Sequence, residues 1–242
     1  MNPRIGAVMR KELREYRRNK LVVGTMATLP AMFFVLPLIS LLALGPGTSE
    51  PTMKGAAGAA LLWLLIMPLL LPPIVAGYAV VGERDQGTLE PVLTTPVRRE
   101  ELVLGKALAV LIPTVGVAYA LYAIFLVVVR LRAVHEAWRL VSGPGQLIAL
   151  AVFAPLLAAF SIWVGLAIST RSSDVRVAQQ LSAFAVLPLV GLVALFTFRV
   201  VSPTVRVAVF GALLLVVLDV GAWRIVSRLF DRERLLTRYG RT

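Results

Sequence analysis

The chain has no cysteine, one histidine and, for its 242 residues, very little charge. Without cysteine there is no disulfide, no thiol nucleophile and no thiolate-held metal. The lone histidine, His135, rules out a di-histidine zinc site. It lies in a loop between apolar runs, so no serine–histidine relay is available inside a bundle. Charged residues make up 16% of the chain, against roughly 25% in soluble domains. Hydrophobic residues reach 58%, and the mean hydropathy is +0.84.

What is present is a series of apolar runs long enough to cross a hydrocarbon layer of about 30 Å. Six are expected, at about 21–44, 57–82, 103–129, 146–169, 178–198 and 205–223. Backbone polar groups in lipid must be satisfied within the segment, so the runs are read as helices. The alternation of a membrane barrel is absent. The chain is therefore expected to be an all-α integral membrane protein, one domain over 1–242. Pro68, Pro72 and Pro73 predict a bend or an unwound turn in the second span. No secretory signal is expected, because the first apolar run starts only after twenty residues and has no cleavage site.

Charge sets the expected orientation. Nineteen Lys/Arg fall on the side of the two termini and six on the other, which places both termini in the cytoplasm. The net charge of +12 then reflects topology and attraction to anionic headgroups, with no nucleic-acid partner implied. Residues 1–20 read as an amphipathic helix at the interface with the bilayer. There Ile5, Val8, Met9, Leu13 and Tyr16 recur at helical spacing, and Arg10, Lys11, Arg14, Arg17 and Arg18 take the other faces. A weaker stripe, Leu131, Val134, Trp138 and Val141, predicts a short outer helix ended by Gly143-Pro144-Gly145.

Catalytic candidates do not assemble. Glu100-Glu101 resemble the paired glutamates of some intramembrane proteases, but Gly105 stands where that pattern needs arginine. Gly105-Lys106 resembles the end of a phosphate-binding loop, yet Glu100 replaces its first glycine and Ala107 its Ser/Thr. No metal site, cofactor site or enzymatic activity is expected on this chain. Asp219 is the only acidic residue within the expected spans, and an intramembrane ionisable group is a functional candidate by default. It lies five residues before Arg224, so pairing with that or another arginine is the expectation, with ion or proton handling as the alternative.

The 83–102 turn is the most informative stretch. Glu83, Asp85, Glu90, Glu100 and Glu101 interleave with Arg84, Arg98 and Arg99 around Leu89, Val92 and Leu93. A purely topogenic loop would be basic; a sign-mixed, partly apolar surface suits docking of another protein. A short helix is expected to continue over 83–93 and to restart at Pro96.

Three stretches carry a family resemblance. Glu83-Arg-Asp-Gln-Gly-Thr-Leu-Glu90 with Leu93-Thr-Thr-Pro96, Arg99-Glu-Glu-Leu102 and Gly105-Lys106 resembles the cytoplasmic loop of type-2 ABC transporter permeases. Met9-Arg-Lys-Glu-Leu13 resembles part of their leading (elbow) helix, and Ser172-Ser-Asp-Val-Arg176 through Ala178-Gln-Gln180 the approach to their fifth span. The resemblance implies an exporter permease in the plasma (inner) membrane of a prokaryote. It implies a second permease copy and a separate ATPase subunit that carries ATP and Mg. By the same resemblance Glu83, Gly87, Thr88, Leu89 and Glu90 form the coupling segment, with Arg10, Lys11 and Glu12 adding contacts. Only 199–204 separates the last two spans, too short for the re-entrant helices of some relatives. Drug, lipid or ion export is thus favoured over polysaccharide export, with heme export or a non-transporting scaffold as alternatives.

Overall fold

A computed structural model describes residues 3–87, 97–198 and 205–230, and every regular element among them is a helix. The order is α1 (Pro3–Arg18), α2 (Lys20–Leu42), α3 (Glu50–Asp85), α4 (Arg99–Arg132), α5 (His135–Val141), α6 (Pro144–Ser169), α7 (Val175–Ala185), α8 (Leu187–Thr197) and α9 (Val205–Leu229). Six segments are long and apolar enough to cross a membrane: Val22–Leu42, Glu50–Glu83, Arg99–Arg132, Pro144–Ser169, Val175–Thr197 and Val205–Leu229. The expected count of six holds, and the ends differ. The second and third helices run past their apolar runs, since helix continues for as long as backbone bonds and neighbouring helices support it. The connection 199–204 lies outside the described residues.

Helix α3 is the axis of the bundle. It packs against α6 most extensively and also touches α2, α4, α5, α7 and α8. Most of its apolar stretch is buried, while α9 buries almost none of its own. The expected unwound turn at Pro68, Pro72 and Pro73 is not found, because α3 is helical without interruption through all three. Packing explains this. A Cβ on Gly165 of α6 would lie 2.8 Å from the Pro73 carbonyl oxygen, so glycine lets α6 close directly onto the proline segment and hold it.

The break falls in the fifth span instead. Helix α7 ends at Ala185, Val186 leaves the helix, and α8 restarts with Pro188 in its first turn. Proline has no N–H to continue the ladder, and no helix packs around Pro188 as α6 does around Pro73. The start of α7 is sharply set, since the Asp174 carboxylate accepts the backbone N–H groups of Arg176 (2.7 Å) and Val177 (3.1 Å). At the opposite end of the bundle from α1, the short helix α5 buries Ala137 and Val141, and Arg130 lies 5.4 Å from the Trp138 ring centre. The expected short outer helix is therefore present, although Leu131 belongs to α4.

Candidate functional site

Helix α1 lies along the first turns of α4. Its positions 4, 8 and 12 share one face and meet α4 in order. Arg4 approaches Glu101 (3.7 Å), Val8 packs on Gly105, and Glu12 meets Lys106 (2.8 Å). A Cβ at Gly105 would sit 2.6 Å from the Val8 side chain, so only glycine permits this approach. Glu101 also accepts the backbone N–H of Arg98 (3.0 Å), which fixes where α4 begins.

The Lys106 ammonium is the centre of the site. It is 1% exposed and lies 2.8 Å from both Glu12 Oε1 and Glu83 Oε2, and it donates to the Ala79 carbonyl at 3.0 Å. Glu12 (1% exposed) comes from α1 and Glu83 (5%) from the end of α3. A second ammonium, Lys11, contacts Glu83 and lies 3.3 Å from Glu12 and 3.0 Å from Glu15. The carboxylates of Glu12, Glu15 and Glu83 lie within 4.8 Å of one another, close enough to share a metal ion. Here the Lys11 ammonium sits among them and supplies the positive charge.

Burial alone would neutralise these groups, but the network opposes it. Desolvation disfavours the charged form of Glu12, and the adjacent Lys106 and Lys11 outweigh it, holding the carboxyl below its ordinary 4.5. Desolvation likewise works against the Lys11 charge, and Glu12 and Glu83 outweigh it, raising Lys11 above 10.5. The Glu12 contribution to stability is therefore present above pH 4.5 and lost as pH falls through the folded-state value. The Lys11 contribution is present below pH 10.5 and lost as pH rises. Burial, then Glu12, push the Tyr16 hydroxyl well above 10.0. A cleft of about 470 Å³ opens beside these groups, lined by Glu12, Glu15, Tyr16, Asn19, Tyr78 and Gln86 among others.

The last turns of α3 take a third tie from α6. The Ser169 hydroxyl donates to the Gly77 carbonyl (2.7 Å) and accepts from the N–H groups of Val80 (3.0 Å) and Val81 (3.3 Å). A side chain thus enters the hydrogen-bond ladder of α3. One to two turns later the helix stops. Asp85 is its last residue, and Gly87 turns the chain with φ +67°, a left-handed conformation that favours glycine. The helix expected over 83–93 therefore ends early, and α4 begins at Arg99, three residues past Pro96.

Of the residues singled out from sequence, Lys11, Glu12 and Glu83 come together. Glu12 and Glu83 face inward and meet the lysines of their own chain. Arg10 is exposed, and its Nε donates to the Gly6 carbonyl (3.2 Å). Gly87 is exposed at the turn, and Thr88, Leu89 and Glu90 lie outside the described residues. Asp219 does not pair with Arg224, and among the described residues it makes no ion pair; its Oδ1 is buried without a hydrogen bond. Five helical residues turn through about 500°, which leaves Arg224 some 140° away around α9. Sequence reasoning missed Lys106 as the hub. The available signal was a lysine three residues inside the apolar run that begins at Val103, which demands a carboxylate partner.

Two of the stretches that carry the permease resemblance, 9–13 and 83–106, thus converge on one network. A family model described as "ABC-2 family transporter protein" matches residues 6–202. No curated relative matches the chain.

Proposed function

Because the chain belongs to the ABC-2 transporter family, we propose that it is the permease subunit of an ATP-driven exporter, working as a dimer on a separate ATPase subunit. Both termini and the 83–98 turn then face the cytoplasm, in line with the nineteen-to-six bias of Lys/Arg. The observation that carries the reading is the Lys106 network. It joins α1, α3 and α4 within a few residues of the sign-mixed turn. A partner that pushes on that turn moves the end of α3 and the start of α4 as one body, and α1 with them. Thr88, Leu89 and Glu90, with Gly87 and Arg10, make the direct contacts in this account. Glu12 and Glu83 act from inside by holding the three helices together.

The substrate is apolar or amphipathic, because the spans offer almost no ionisable groups. The weakly buried helices α7, α8 and α9 leave broad apolar faces for a second permease copy, substrate or lipid. Two assays test the reading. The purified chain should capture the ATPase subunit encoded beside it. Glu90→Lys, or deletion of Gln86–Leu89, should lower transport per ATP hydrolysed by about tenfold or more while membrane insertion is kept. Unchanged transport in those variants would remove the coupling assignment.

A further inference from the structure

Helix α9 turns one face toward the rest of the bundle. Leu215, Asp219, Ala222, Val226 and Phe230 follow at steps of three and four, and each is buried or half-buried. Asp219 is thus aimed inward, between α4 and α6, and not at lipid. The register on α6 is set by Phe153 beside Gly211 and by Leu157, clustered with Leu215. Asp219 therefore comes level with the Ser161–Trp163 turn.

Around this level, polar atoms are buried without hydrogen bonds. They are Asp219 Oδ1, the indole nitrogens of Trp163 and Trp223, Ser227 Oγ and Thr114 Oγ1. Trp163 (7% exposed), Thr114 (1%) and Ser227 (8%) are almost fully enclosed. Trp163, Trp223 and Ala222 belong to one apolar cluster with Val110 and Leu111 of α4, and Thr114 follows one turn along that same face. Asp219, Trp223 and Ser227 are spaced by four along α9.

Buried polar groups in folded proteins are nearly always satisfied, and a cluster of exceptions marks a place built for something further. The chemistry of this cluster is specific. An ionised carboxylate accepts only, and an indole N–H donates only. A metal ion needs several oxygen ligands, and the seam offers one carboxylate and the Thr114 and Ser227 hydroxyls. Two tryptophans beside a carboxylate suit a large, diffuse positive charge, which is drawn to the faces of aromatic rings. The indole N–H groups then call for acceptor oxygens on the same molecule.

We propose that the seam between α4, α6 and α9 is a binding site for a lipophilic organic monocation bearing carbonyl or ether oxygens. Its charge lies against Asp219 and the rings of Trp163 and Trp223, and its oxygens accept from the indoles. The site deepens the exporter reading by naming a substrate class, and rests on it for the direction of movement.

The test uses the full chain in phosphatidylcholine nanodiscs, whose neutral surface does not itself collect cations. Rhodamine 6G, a lipophilic monocation with an ester carbonyl, is titrated by fluorescence anisotropy against neutral Nile red. Saturable rhodamine 6G binding is expected, weakened about tenfold or more by Asp219→Asn and restored by Asp219→Glu. Trp223→Phe keeps a ring face but loses the N–H, so a smaller loss of about threefold is expected. Nile red binding should not change. Equal rhodamine 6G affinity in Asp219→Asn, or a parallel loss of Nile red, overturns the proposal. So does displacement of the dye by millimolar sodium or potassium, which would mark an inorganic cation site. Capture of the ATPase subunit is measured on the same nanodiscs. Failure there removes the exporter reading and leaves the cation site standing, whereas dye binding indifferent to Asp219 does the reverse.

Discussion

Charge is buried at two places in this bundle, and the two are opposites. At the α1 end, Lys106 is enclosed with two carboxylates at 2.8 Å and a backbone carbonyl at 3.0 Å. Between α4, α6 and α9, Asp219 has a buried oxygen with no hydrogen bond, near indoles and hydroxyls in the same condition. The first arrangement is complete without any further molecule, so its work is to hold helices in fixed relation. The second is incomplete in the chain alone, which suits a group that arrives and leaves. Burial of charge is costly in both cases, and the presence of internal partners separates scaffold from site.

The contrast can be broken most severely at Lys106. Lys106→Met leaves Glu12 and Glu83 buried without their shared cation, and should destabilise the protein by about 3–5 kcal/mol. Thermal unfolding in detergent would read this as a large fall in Tm, and an unchanged Tm would mean that the network carries little. Gly105→Leu tests the same contact by shape instead of charge. The added side chain meets Val8 and should lift α1 from α4 at a cost of about 1–3 kcal/mol. Faster proteolytic cleavage near residues 18–20 would report the release. The smallest effect, and the opposite sign, is expected at Asp219. Asp219→Asn replaces a carboxylate that has no partner with an amide that is cheaper to bury, so stability should rise by up to about 1 kcal/mol. A destabilisation there as large as that of Lys106→Met would erase the distinction between the two regions.

The same contrast separates what could be read from sequence from what could not. Six apolar runs announced six spans, because length and hydropathy are local properties. The amphipathic pattern of residues 4–20 likewise announced α1. Residue Asp174 could be understood only once α7 was placed behind it as its cap. The ion network was out of reach, because Glu12 and Lys106 stand 94 positions apart and nothing periodic links them. Glu12 and Glu83 were chosen through resemblance as surface contacts, and the structure turns both inward. Proline was misjudged in both directions: three prolines failed to break α3, which is packed on most sides, and one sufficed at Val186, where packing is thin. Propensity decides only where neighbours do not.

The central claim is that the α1–α3–α4 network transmits the motion of an ATPase partner into the spans. Its most direct test is the triple variant Lys106→Met, Glu12→Gln, Glu83→Gln, which removes the charges while keeping side-chain size and leaving no ion stranded. ATP hydrolysis and transport are measured together on the assembled complex. The account predicts that the variant folds, binds the ATPase and hydrolyses ATP, while transport per ATP falls about tenfold or more. Wild-type transport per ATP in that variant would contradict it.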